Sequence, residues 1–126
     1  MESPIKTVRI SQAGEEQLNK LKRTTKITQW NILCRWALCR SLAEPTAPSS
    51  VAIKTDSKVE IAWDTFGGEI ADILLIALKQ RCYQDGLSLD SETLKKQLIL
   101  HLHRGLGYLT SGDELDSIEK LVELTP

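Results

Sequence analysis

The chain has 126 residues, 41% hydrophobic and 26% charged, with a formal net charge of −1. Those proportions exclude a disordered tail, and the length excludes a catalytic chain with a separate cofactor domain. The near-zero balance hides an asymmetry. Residues 1–43 carry eight basic side chains (Lys6, Arg9, Lys20, Lys22, Arg23, Lys26, Arg35 and Arg40) against Glu2, Glu15 and Glu16. That third is about +5 and the remainder about −6. A basic end on an acidic body suits a surface facing a polyanion, although solvated faces would read the same way. No apolar run approaches the roughly 20 residues needed to span a bilayer. "MESPIKTVRI" lacks the organisation of a signal peptide. Three cysteines without paired spacing argue against a disulfide framework, so a reduced, cytoplasmic protein is expected.

In "IKTVRIS", Val8 and Ile10 alternate with Thr7, Arg9 and Ser11, the period of a short half-buried strand. Ser11 then caps a helix to about Thr24, with Glu15 and Glu16 near its positive end and Leu18 and Leu21 on its inner face. Lys20, Lys22, Arg23 and Lys26 crowd its last turn and the following loop. Thr28 is expected to cap a second helix running through Leu42, which "AEPTAPSS" ends with proline and small residues. Val59, Ile61 and Trp63 alternate as a second extended segment. Gly67 and Gly68 turn into a helix with Ile70, Ile73, Leu74, Ala77 and Leu78 at helical spacing, stopped by "DG" at 85–86. A further helix carries Leu94, Leu98 and Leu102 inward and is expected to end at Gly105. Leu115, Ile118, Leu121 and Val122 suggest a last short amphipathic helix. No internal repeat is present, and the linker-like stretch 44–56 is too short to separate large domains.

Strand, helix, turn, helix over 1–43 is the order of a ribbon-helix-helix unit, a moderately specific pattern that also occurs in proteins unrelated to nucleic acid. In β-ribbon DNA readers the strands of two subunits pair and enter a groove. With Val8 and Ile10 turned to the core, Thr7 and Arg9 would project outward. Thr28 and Gln29, at the start of the second helix, would offer free amides to a phosphate. Lys20, Lys22, Arg23 and Lys26 would add backbone contacts that hold DNA without reading sequence.

Cys34 and Cys39 are five residues apart, a rotation of about 140° on a helix, so they cannot jointly ligate one metal. Cysteine is among the residue types most often buried, and a packing role is expected for both. Arg35 and Arg40 border different edges of the same apolar helix. They could snorkel, pair with acids of a neighbouring subunit or reach DNA. "GLGYLT" at 105–110 has a threonine where a dinucleotide loop has its third glycine and follows a helix rather than a strand. His101 and His103 are two apart, which is no metalloprotease spacing, and Glu69 and Asp72 read as acids at a helix start. No catalytic residue, metal ligand or cofactor is assigned.

Three blocks in order, "ITQWNILCRWALCRSLAEP" at 27–45, "GGEIADILLIALKQRCYQDGL" at 67–87 and "LHRGLGYL" at 102–109, resemble the DndE family. Its members are small subunits of the bacterial DNA phosphorothioation system, and the likeness covers nearly the whole chain. The resemblance implies a single mainly α domain over 1–126 with one or two short β-strands. Within it, a ribbon-helix-helix-like basic part (1–43) precedes an acidic helical part (57–126). It further implies a homotetramer that binds double-stranded DNA, notably nicked duplex, through lysine-rich surface. The partners implied are a cysteine desulfurase, an iron–sulfur sulfurtransferase and an ATPase. Carried onto this chain, the DNA contacts are Lys20, Lys22, Arg23 and Lys26, with Arg9, and the helix-start reading above adds Thr28. The matched blocks themselves read as core and subunit interface, and the cysteines as packing. A DNA-binding accessory subunit ranks first, a ribbon-helix-helix repressor second and a DNA nickase third.

Overall fold

Apolar spacing and turn residues set the element order of the protein, seen in a computed structural model that describes residues 3–111. The elements are β1 (Thr7–Arg9), α1 (Gln12–Thr25), α2 (Trp30–Ala43), β2 (Glu60–Ala62), the short α3 (Trp63–Gly67), a 3-10 turn (Gly68–Ile70), α4 (Ala71–Gln84) and α5 (Ser91–Thr110). The fold is mainly helical, a single small domain with one two-stranded antiparallel sheet. The helix expected over 115–122 lies outside the described residues.

β1 behaves as its alternation demands: Val8 and Ile10 are buried, and Thr7 and Arg9 are exposed. Its partner is within the chain. β2 pairs with it in the register Thr7↔Ala62, Val8↔Ile61, Arg9↔Glu60, and Trp63 N–H extends the ladder to the Lys6 carbonyl at 2.9 Å. The order strand–helix–helix is therefore present, but the ribbon is made by one chain and not by two. Trp63 begins α3 instead of continuing β2, because its ring stacks on Phe66 at 5.4 Å in the core.

α2 runs through the middle of the molecule, burying Leu33, Cys34, Ala37 and Leu38, and packs chiefly against α5. The two are antiparallel: Ser41 meets His101 and Arg104, and Ala37 meets Gly105. α5 does not end at Gly105. It continues to Thr110, and Gly105 sits where the α2 backbone comes closest. α4 buries Leu74, Leu75, Leu78 and Cys82 and turns Ile73 and Ala77 outward, and Ile70 in the preceding 3-10 turn is exposed too, so the five residues read at helical spacing do not form one inner face. Leu74 and Leu78 alone of the expected stripe are in the core.

The stretch 44–56 is irregular but fastened. Arg81, only 7% exposed, donates to the carbonyls of Leu42, Glu44, Pro45 and Thr46, and Arg104 to those of Ser41 and Thr46. Two arginines thus satisfy carbonyls that the end of α2 and its proline-containing loop leave unpaired.

Candidate nucleic-acid interface

α1 is anchored at its start. The Ser11 hydroxyl accepts from Gly14 N–H at 2.9 Å, and Ser11 N–H donates to His103 Nε2 at 3.0 Å. Leu18, Leu21 and Thr25 then face the core. At about 100° per residue, Lys22, Lys26, Arg23 and Lys20 fall in that order over roughly 160° of the opposite side. Lys20, Arg23 and Lys26 are exposed and Lys22 is half-buried. Lys22 and Arg23 lie in the last turn, where the helix dipole favours cations. Lys26 ends the helix in the left-handed region (φ 62°), and its N–H bonds the Lys22 carbonyl at 3.0 Å. The four cations thus form one solvent-facing arc.

The start of α2 lies beside that arc. Lys22 Nζ is 5.7 Å from the centroid of the Trp30 ring, a cation–π contact. Thr28 is exposed but is not the cap. Gln29 is the capping residue; its side chain makes no capping bond, and its carbonyl accepts from Ile32 and Leu33. The first turn of α2 carries no acid. Its positive end is left uncompensated locally, with Lys22 alongside. Trp30 contributes a buried indole N–H that no described residue accepts.

Arg9 does not join the α1 arc directly. It pairs with Glu60 at 3.1 Å across the ribbon and lines a cavity of about 200 Å³ with Thr7, Thr55 and Lys95. On the β2 side, Glu60, Lys58 and Glu15 line a second cavity of about 260 Å³ with Trp30. Lys58, Lys95 and Trp30 were missed from sequence. "LKK" in a helix was the available signal for Lys95, obscured by the acidic sum of the chain's second half.

The arginines of α2 have intramolecular roles. Arg35 Nη1 donates to the Gly67 carbonyl at 3.3 Å. Arg40 pairs with Glu44 at 3.7 Å and lies 4.5 Å from the Tyr108 ring centroid. Cys34 and Cys82 are buried, and burial pushes the Cys34 thiol up to about 12, which leaves it inert. Cys39 is exposed, contrary to the packing role expected for it; its thiol is nonetheless raised by partial desolvation, which the nearby Arg35 opposes. No group of three or more His, Cys, Asp or Glu side chains that could hold a metal occurs among the described residues. No described helix is long and apolar enough to cross a membrane.

The family profile of the DNA sulphur modification protein DndE matches residues 7–117. The chain belongs to the DndE family. A crystal structure of DndE from Escherichia coli B7A, described as involved in DNA phosphorothioation modification, superposes with a TM-score of 0.72 at 28% identity. The match covers 86% of this chain and 99% of that one. A crystal structure of a double glycine-to-lysine mutant of DndE matches with a TM-score of 0.65, also at 28% identity, over 82% of this chain and 95% of that one. No curated protein matches. The DndE fold thus spans this chain from β1 through α5.

Proposed function

We propose that the chain is a DNA-binding accessory subunit of the DNA phosphorothioation machinery, gripping the sugar-phosphate backbone of a duplex, nicked duplex in particular. The observation that carries this reading is the arc of Lys20, Lys22, Arg23 and Lys26 on the solvent side of α1, beside the acid-free start of α2. Side chains of this kind neutralise phosphates without reading bases, so binding is strong at low salt and indifferent to sequence. Thr28 lies at the same end of α2, and Arg9 extends the surface along the ribbon. The subunit holds DNA in the cytoplasm for the desulfurase, sulfurtransferase and ATPase that supply and install sulfur.

A tetramer would present several such arcs at fixed spacing. The surface we assign to self-association is the outer face of α4, where Ile73 is 64% and Ile76 57% exposed beside Ala77 and Tyr83. Apolar side chains clustered on one helix face are the usual mark of a subunit contact. The repressor reading has less support, because the strand such a protein offers to a second subunit is paired inside this chain.

Reversing Lys22 and Arg23 together to glutamate tests the reading. Gel-shift binding of a duplex should be abolished while the oligomer, followed by light scattering, stays intact. Unchanged binding would remove this patch from the account.

A further inference from the structure

The ribbon has cations on both of its flanks, and not all of them come from the basic third of the chain. Beyond β2 lie Lys58 and Trp30, with Lys22 over the indole. Beyond β1 lies Lys95 of α5, which shares a cavity of about 200 Å³ with Thr7, Arg9 and Thr55. Lys95 and Lys96 also line a neighbouring cavity of about 400 Å³, which shares Thr55, Lys95 and Ile99 with the first. Both lysines are exposed, because Leu94, Gln97 and Leu98 take the inner face of α5. Between the flanks, the outward face of the ribbon shows Thr7 and Arg9.

We propose that Lys95 and Lys96 form a second phosphate-binding row, joined to the α1 arc across the ribbon through Arg9, so that one duplex is held on both sides of β1 and β2. This rests on the DNA-binding reading given above and extends its surface to the half of the chain that is acidic in sum. The dimensions allow it. Paired strands are about 4.8 Å apart, and a duplex presents a charge roughly every 1.7 Å along its axis. Phosphates of one binding site therefore pass over both flanks. Three acids lie along the row: Glu60 holds Arg9 at 3.1 Å, Glu92 holds Lys95 at 3.8 Å, and Glu15 lines the Trp30 cavity. The two ion pairs are solvent-exposed, and such pairs yield readily to a competing phosphate. The acids keep the cations poised and limit affinity, so that the contact is reversible.

The test uses the full chain carrying Lys95→Gln and Lys96→Gln together. Its binding to a fluorescent duplex is followed by anisotropy over a series of salt concentrations. Affinity at low salt should fall roughly tenfold, and the slope of log K against log salt should shrink in magnitude by about 1 to 2. In the wild-type protein the duplex should protect Lys95 and Lys96 from amine acetylation, read by mass spectrometry, as it protects Lys22. Wild-type slope and affinity in the double variant, or equal labelling of Lys95 and Lys96 with and without DNA, would overturn the second row. If Lys22→Glu with Arg23→Glu still abolished binding in that case, the α1 reading would stand alone. Absence of any duplex binding by the wild-type protein would overturn both.

Discussion

Gly105 of α5 lies so close to α2 that a Cβ at that position would sit 1.7 Å from the carbonyl oxygen of Ala37. The absent side chain is what lets the two central helices approach. Gly105→Ala must push them apart, at a cost of about 3 kcal/mol or more. Gly107, two residues on, has nothing within 4 Å of its notional Cβ. Gly107→Ala should instead stabilise by up to about 1 kcal/mol through helix propensity. Urea denaturation of the two variants should move in opposite directions. Equal shifts would contradict the packing described.

That glycine also shows where sequence reasoning stops. In one dimension, a glycine after a run of leucines reads as a helix end, because nothing in the string reveals a neighbouring backbone. Val8, Ile10, Leu18 and Leu21 were legible because one face of each element is polar, so periodicity points to a single inner side. α4 was ambiguous because both its faces are apolar: spacing cannot choose between Ile73 and Ala77 on one side and Leu74 and Leu78 on the other. The α1 cations were legible as a run. Lys95 and Lys96 were not, since a summed charge carries no position, and their neighbour Arg9 is brought to them only by folding. Arg81 and Arg104 had no signal at all, because their partners are backbone carbonyls.

Lys26 holds a left-handed conformation at the end of α1, a backbone region that costs a residue with a side chain about 1 kcal/mol relative to glycine. Lys26→Gly should therefore raise stability by about that amount in thermal or chemical denaturation and at the same time weaken duplex binding. A variant that gains stability with unaltered DNA affinity would take Lys26 out of the interface.

Arg81 is bound on five sides, by four carbonyls and, through Nε at 3.0 Å, by the Asp85 carboxylate. A lysine has three donors on one atom and cannot reproduce a planar fork. Arg81→Lys should cost about 2–3 kcal/mol and loosen the 44–56 stretch, read as faster proteolytic nicking there. Retention of wild-type resistance and stability would show the fork to be dispensable.

Two histidines make stability depend on pH. Arg104 Nε donates to the Ser41 hydroxyl at 2.9 Å, and that hydroxyl lies 2.8 Å from His101 Nδ1. Burial, helped by the Arg104 and Arg81 charges against an opposing effect of Asp85, lowers His101 from its usual 6.5 to about 4. His103 is lowered as well, chiefly by burial; its Nδ1–H donates to the Ile99 carbonyl, leaving Nε2 to accept from Ser11. Both are neutral in the folded state and protonate more readily once unfolded. The His101 contribution is complete above pH 6.5 and is lost as the pH falls toward 4, amounting to about 3 kcal/mol, and that of His103 is lost in the same direction. His101→Gln should flatten the stability profile between pH 6.5 and 4, measured by urea titration at each pH. An unaltered slope would mean that His101 is not the group responsible.

Phosphate binding by cations on one face of this small fold is read from the salt dependence of wild-type binding to intact and nicked duplexes of unrelated sequence. With the four α1 cations engaged, log K should fall linearly against log salt with a slope of about −3 to −4 or steeper, the same for every sequence. Binding that is insensitive to salt, or confined to one sequence, would contradict it.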